Sequence, residues 1–241
     1  MSGHSKWATI KRKKAVTDAK KGAIFTRLVK NIALAAKNGK DPDMNPALRT
    51  AIDAAKAANM PKENVEKAIL KGAGELPGVT YEEVRYEAYG SAGVALIIDC
   101  VTDNTNRTVS DLRALLTKFG GSLGNSGSVL YMFEQKGVIR IAKPEGQAQD
   151  TEAIALVAID AGADDIQIEE EGCTIFTARE KLVEVKTALE QHGCTLASSE
   201  VEWITQNMIE PDSSQKEKVA QLIEAIEENE DVMNVYSNAQ L

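Results

Sequence analysis

From Gly137 to Ile204 the spacing of apolar residues switches between periods of two and of 3.6. It predicts a strand at 138–142, a helix at 151–161, strands at 164–169 and 173–178, a helix at 180–191 and a strand at 195–204. The order β-α-β-β-α-β is that of the ferredoxin-like arrangement. This complete unit leaves a remainder behind it: a helix from about Ser214 to Glu228, with Val219, Leu222, Ile223 and Ile226 on one face, and a strand from Val232 to Tyr236. One helix and one strand cannot bury their own apolar face. The economical solution is that they return to the segment 79–134, so that the ferredoxin-like unit is an insertion.

That earlier segment has matching elements. Val84 and Tyr86, then the run Val94 to Val101, read as two strands around the turn Tyr89-Gly90-Ser91-Ala92-Gly93. A helix follows with Val109, Leu112, Leu115, Leu116 and Phe119 on one face. It is opened by Thr108-x-x-Asp111, which resembles a capping box, and stopped by Gly120-Gly121; a further strand is expected from Ser128 to Phe133. Upstream, three Ala-rich helical stretches begin at Gly22, at Pro46 after the cap Asn45, and after Met60-Pro61, the last ending at Gly72. The expected fold class is α+β: a basic arm (1–21), a three-helix domain (22–78), an α/β domain built from 79–134 plus 206–241, and a ferredoxin-like α/β domain (135–205) inserted in it.

Charge divides along the same boundaries. The whole chain carries 28 basic and 36 acidic side chains, a net of -8. Residues 1–78 hold 16 basic against 7 acidic ones, a net of +9, leaving 12 against 29, or -17, for the rest. Such polarity suggests a basic contact surface joined to a solvating or protein-facing body. No apolar run approaches the ~20 residues of a membrane span, and no apolar signal core follows Met1, so a cytoplasmic protein without membrane contact is expected. Cys100, Cys173 and Cys194 are too scattered for a disulfide framework or a zinc site, and His192 with Cys194 makes only half a ligand set, so neither metal nor cofactor is expected. His4 and His192 are the only histidines, and neither G-x-S-x-G nor H-E-x-x-H occurs. No catalytic residue is assigned, and the chain reads as a non-enzyme.

The strongest functional signal is the arm. Lys6, Lys11, Arg12, Lys13, Lys14, Lys20 and Lys21 crowd a short segment that contains Trp7. Cations displace condensed counterions from a phosphate backbone, and an exposed aromatic ring can stack on a base, so these residues are candidate nucleic-acid contacts. Trp7 has the alternative of packing into the helical domain. Arg27 extends the basic surface onto the first helix. Asn106 and Arg107, in the run Asp103-Asn104-Thr105-Asn106-Arg107-Thr108, are placed to reach a phosphate or base, although helix capping accounts for most of that run. The stretch Gly120 to Gly127 lacks the Lys-Ser/Thr of a P-loop and reads as a turn.

Gly3-His4-Ser5-Lys6-Trp7, Asp18-Ala19-Lys20-Lys21-Gly22 with Ile24-Phe25-Thr26, Asp41-Pro42 with Asn45-Pro46, Asn59-Met60-Pro61, Tyr86-Glu87 with Tyr89-Gly90, Asp103-Asn104-x-Asn106-Arg107-Thr108 and Gly120-Gly121-x-Leu123-Gly124-x-x-Gly127-Ser128-Val129 occur in that order. With these motifs the chain resembles the YebC/PmpR family, which includes a mitochondrial translational activator. It departs from the family pattern at Ala23, where a Lys is usual, and at Ala88, Ser91 and Ala92. The resemblance implies three domains, a cytoplasmic location and no catalytic residues. It also implies one of two roles: a DNA-binding transcriptional regulator, or a ribosome-associated factor that contacts ribosomal RNA and helps translation through difficult sequences such as proline runs. Phosphate charge does not separate DNA from RNA. The expectation is therefore a nucleic-acid-binding regulator, transcriptional first and translational as the alternative, with the acidic domains available to a protein partner. A small-molecule-binding module built on the ferredoxin-like unit is the remaining alternative.

Overall fold

A computed structural model describes residues 18–143, 150–170 and 172–241, with side chains from Gly22 onward. The described residues form seven α-helices and eight strands. In chain order these are α1 (Asp18–Ala36), α2 (Pro46–Ala57), α3 (Lys62–Gly72), β1 (Glu82–Tyr89), β2 (Ala95–Thr102), α4 (Thr105–Lys118), β3 (Ser122–Leu123) and β4 (Glu134–Ala142). They continue with α5 (Thr151–Asp160), β5 (Ala163–Glu169), β6 (Gly172–Ala178), α6 (Leu182–Gln191), β7 (Leu196–Ile204), α7 (Ser213–Glu227) and β8 (Val232–Ser237). The strands make two antiparallel sheets, ordered β3-β1-β2-β8 and β5-β6-β4-β7. The fold is thus mixed α and β, as the periodicity implied.

The three helices are locked by a few specific contacts. Asn45 accepts from the Leu48 amide at 3.1 Å, capping α2, while its own amide donates to the carbonyls of Ala35 (2.8 Å) and Gly39 (2.7 Å) at the end of α1. Ile32, Ala36, Leu48, Ala55, Met60, Val65 and Ala68 fill the space between the helices. Gly72 lets α3 meet α1 backbone to backbone: a Cβ there would lie 2.1 Å from the Ala33 carbonyl oxygen.

In the first sheet β8 pairs with β2, placing Val235 opposite Ile98 and Ser237 opposite Leu96. The C-terminal strand thereby returns across the intervening chain to complete this sheet. Asp212 and Gln215 start the returning helix with a reciprocal capping box, at 2.9 and 3.2 Å. Helices α4 and α7 pack on each other and on the sheet, with Leu112, Leu116, Val219, Leu222 and Ile226 fully buried. Burial of side chains of this size is worth about 1.5–3 kcal/mol each.

The second sheet has the strand order of a ferredoxin-like unit. Ile139, Ile141, Cys173 and Ile175 line one face, and Ile154, Ala158, Val185 and Leu189 of α5 and α6 cover them. On the other face Arg140 and Glu202, 2% and 3% exposed, form a buried two-pronged ion pair, Nη1 to Oε1 and Nη2 to Oε2.

The described residues fall into two compact units, 18–128 with 212–237 and 129–211 with 238–241. The expected return of 206–241 is therefore divided. Residues 238–241 join the second unit, where the Ile209 amide donates to Asn238 (2.7 Å) and the Gln240 amide to Ile209 (2.8 Å).

Three local expectations are corrected. The expected strand Ser128–Phe133 is instead a 3-10 turn at Leu130–Met132, because Met132 and Phe133 donate to carbonyls three residues back, and extended pairing begins only at Glu134. Helix α4 starts at Thr105 rather than Thr108, since Asn104 accepts from the Arg107 amide at 3.1 Å and no Thr108–Asp111 box forms. Helix α1 includes Asp18, four residues before the expected start at Gly22.

Candidate nucleic-acid interface

Among the residues expected to meet nucleic acid, Lys6, Trp7, Lys11, Arg12, Lys13 and Lys14 lie outside the described residues, and Lys20 and Lys21 are described only as backbone in the first turn of α1. The other three are placed in full. Arg27 lies half-buried on α1 and donates to the carbonyl oxygens of Glu227 and, at 3.2 Å, Asn229, where α7 ends. Burial is the main effect on its guanidinium and lowers its pKa, against the opposing pull of Glu227 and Glu230. Arg107 bridges Asp103 at 2.8 Å and Asp231 at 3.0 Å, and its pKa is raised chiefly by its hydrogen bonds to these two carboxylates. Asn106 is exposed in the first turn of α4. Arg27 and Arg107 thus have intramolecular partners, and both lead to the turn between α7 and β8.

The centre of that turn is Asp231, whose side chain is 4% exposed. Its carboxylate accepts from Lys30 Nζ (2.5 Å), Thr108 Oγ1 (2.7 Å), Arg107 Nη2 (3.0 Å) and Thr102 Oγ1 (3.2 Å). Its backbone carbonyl accepts from Val101 at 2.8 Å, and its amide donates to Asn229 Oδ1 at 2.9 Å. Burial alone would raise the pKa of this carboxyl. The hydrogen bonds from Lys30, Thr108 and Arg107 outweigh it and hold the pKa down at about 2. One carboxylate therefore ties α1, the end of β2, the start of α4 and the α7–β8 turn together. Lys30 also donates to the Glu230 carbonyl at 2.9 Å, and its side chain is 6% exposed.

Sequence reading missed this cluster. Lys30 looked like one more charge on a helix, and Asp231 and Thr102 were not singled out. A signal was present: Ala23, Arg27, Lys30 and Leu34 follow i, i+4, i+7, i+11 and define a second face of α1 beside the core face of Phe25, Leu28 and Ile32. Cations on a second packed face need buried acceptors.

Several remaining cations of the helical region are also engaged. Lys37 donates to the Tyr81 carbonyl, Lys40 pairs with Glu75, Arg49 with Asp43, Lys56 with Asp53 and Lys62 with Glu66. Lys67 and Lys71 have no ion-pair partner among the described residues. Exposed pairs of this kind are weak and exchange readily with a phosphate. The buried Lys30–Asp231 pair does not.

Residues 5–75 match the family model described as the TACO1/YebC protein N-terminal domain, and residues 81–239 match the TACO1/YebC second and third domain. The chain belongs to the TACO1/YebC family. Relatives in this family include a protein of Dictyoglomus thermophilum, 48% identical over 99% of this chain and 95% of its own length, and one of Thermosipho melanesiensis, 52% identical over 99% and 93%. Both are named probable transcriptional regulatory protein. The crystal structure of a conserved hypothetical protein from Aquifex aeolicus superposes with a TM-score of 0.84 at 43% identity, covering 94% of this chain and 93% of that one. Among the described residues of this TACO1/YebC chain, no helix is long and apolar enough to cross a membrane.

Proposed function

We propose that this TACO1/YebC chain is a non-enzymatic, cytoplasmic regulator of gene expression that binds nucleic acid through its N-terminal segment and acts on transcription as a DNA-binding protein. The observation that supports this is the distribution of charge once internal pairing is taken into account. Arg27, Lys30 and Arg107 hold the fold together. Residues 1–17, in contrast, contain five cations, Lys6, Lys11, Arg12, Lys13 and Lys14, and no acid. They lead directly into α1, which Arg27 and Lys30 fix to the α7–β8 turn of the first sheet. The names of the relatives point to transcription as the process.

A second reading, a ribosome-associated translation factor bound to RNA, is favoured by one feature. On the solvent faces of α2 and α3, Lys56 pairs with Asp53 and Lys62 with Glu66, leaving Lys67 and Lys71 of α3 as a cationic patch of two side chains, small for a helix that reads a major groove. A Lys-rich arm follows irregular RNA as readily as duplex.

The test compares the full chain with a chain starting at Asp18, measuring anisotropy of labelled duplex DNA and structured RNA across a salt series, alongside promoter-fragment selection and ribosome co-sedimentation at matched ionic strength. Loss of binding and of salt dependence on truncation is expected, with promoter fragments enriched. Unchanged affinity in the truncated chain refutes the arm as the contact, and ribosome co-sedimentation without promoter selection transfers the role to translation.

A further inference from the structure

The first sheet has a second polar feature beside the Asp231 cluster. On the sheet face that carries Ile97, Arg85 of β1, Asp99 of β2 and Asn234 of β8 stand in one cross-strand row. Arg85 Nε donates to Asp99 Oδ1 at 2.6 Å. Together with Glu83, Met233 and Asn31 of α1 they line an open groove of about 430 Å³, within the range typical of small-ligand sites. The position of Asn31 is fixed by its neighbour: Lys30, anchored to Asp231, holds this turn of α1 at the edge of the sheet.

The polar inventory of the groove is specific. The side-chain amides of Asn31 and Asn234 and the carboxylate of Glu83 have no hydrogen-bond or ion-pair partner among the described residues, and Asp99 has its second oxygen left over. The charges are one guanidinium against two carboxylates, which repels a phosphate. A neutral, planar group carrying two adjacent N–H donors next to acceptors suits it better. Guanine presents that pattern, N1–H and N2–H beside O6, whereas uracil and thymine would place carbonyl oxygens against the carboxylates. Bases reach such a pocket only when unpaired.

We propose that this groove is a base-reading subsite that takes an unpaired guanine of the nucleic acid held by the arm, with Asp99 and Glu83 accepting from its N1–H and N2–H and the amides of Asn31 and Asn234 bonding its remaining edge. The subsite rests on the nucleic-acid reading above and adds a sequence preference to it. An RNA and a DNA single strand offer the same edge.

The test uses the full chain and single-stranded octamers, an oligouridine and an oligothymidine, each with and without one central guanine, and each again with hypoxanthine, which lacks the N2 amino group. Guanine should tighten binding about tenfold over the all-pyrimidine strand, and hypoxanthine should recover only part of that gain. Asn31→Ala, a change at an exposed position, and Asp99→Asn should each remove the guanine preference while leaving affinity for the all-pyrimidine strand unchanged; matching melting curves would exclude unfolding. A preference in the RNA series alone assigns the subsite to RNA, and in the DNA series alone to DNA. Tight binding with no guanine preference, or a preference that survives both substitutions, overturns the subsite and leaves the arm reading intact. Failure of the intact chain to bind any octamer at low salt overturns both.

Discussion

Replacing Asp231 by Asn tests whether one buried carboxylate joins the helical region to the first sheet. The substitution keeps the shape and removes the charge opposite Lys30, whose side chain is 6% exposed. Removing one partner of a buried ion pair costs about 3–5 kcal/mol, because the other charge stays desolvated without compensation. Arg107 adds little to this figure: it is 46% exposed and keeps Asp103. An estimate of about 4 kcal/mol, at roughly 3 °C per kcal/mol for a unit of this size, lowers the calorimetric transition of the unit containing α1 and β1–β3 by about 12 °C.

Acid provides an independent route to the same quantity. With its pKa held at about 2 rather than the ordinary 3.8, Asp231 contributes stability that is fully present above pH 4 and is lost as pH falls through 2. The shift corresponds to about 2 kcal/mol. The substitution should cost more than protonation because the Asn NH2 group can only donate, whereas a protonated carboxyl keeps acceptor capacity on both oxygens. In a double-mutant cycle with Lys30→Met, coupling of at least about 2 kcal/mol is expected. A melting temperature within 3 °C of the parent, an acid branch unchanged between pH 4 and 2, or coupling near zero would refute the argument.

Helix capping, close packing and thiol chemistry yield three further predictions. Asn104→Ala should cost about 1 kcal/mol by uncapping α4, and Asp111→Ala almost nothing, as read by urea unfolding; equal costs would mean that the helix begins where the Thr108 motif suggested. Gly72→Ala should cost about 1–3 kcal/mol, because the added methyl meets the Ala33 backbone, and should raise amide exchange in α3; unchanged exchange would refute the close approach. Burial pushes the Cys100 thiol up to about 12, aided by Asp231 and Asp99, and that of Cys173 up to about 11, whereas Cys194 is only partly buried. N-ethylmaleimide at neutral pH should therefore label Cys194 first in the folded chain and all three thiols after unfolding; labelling of Cys100 in the folded chain would contradict its burial.

Sequence periodicity revealed whole elements better than their ends. The ferredoxin-like order was legible because helix-length apolar segments, α5 and α6, alternate with strands of period two, although α5 is apolar nearly all round and leaves Leu156 and Ile159 exposed; the return of β8 followed from the inability of α7 and β8 to bury themselves. The start of α4 was misread because two overlapping polar signals competed. Asn104 satisfies the free amide of Arg107, while Thr108, which resembled a cap, turns inward to Asp231. Tertiary pairing is invisible to local pattern, and for the same reason Lys30 read as one more helix charge and Asp231, 201 residues away, was not singled out. The residues of the groove were illegible too. Asn31, Asp99 and Asn234 belong to three separate elements, and only the β1-β2-β8 register brings the two strand residues into one row.

The internal use of Arg27 and Lys30 changes what the net charge of +9 on residues 1–78 means for binding. If every cation in the N-terminal region met a phosphate, the 16 basic side chains of residues 1–78 would give a salt slope far steeper than an arm can produce. Arg27 and Lys30, held by helix-end carbonyls and by the buried Asp231, release no counterions when nucleic acid arrives, and the exposed cations of α2 and α3 add to the slope only where the contact reaches beyond the arm. The arm supplies five, and Lys20 and Lys21 extend it to seven. At about 0.9 counterion per contact on duplex DNA and about 0.7 on a single strand, log K should fall against log salt with a slope of about -6 on duplex and about -5 on a single strand. Starting the chain at Asp18 should reduce the magnitude on duplex by about 4.5, and Arg107→Gln, a change within the scaffold, should leave the slope unaltered. A slope that falls by about 1 in Arg107→Gln would show that this guanidinium leaves Asp231 for a phosphate, and that the contact surface extends from the arm across the start of α4.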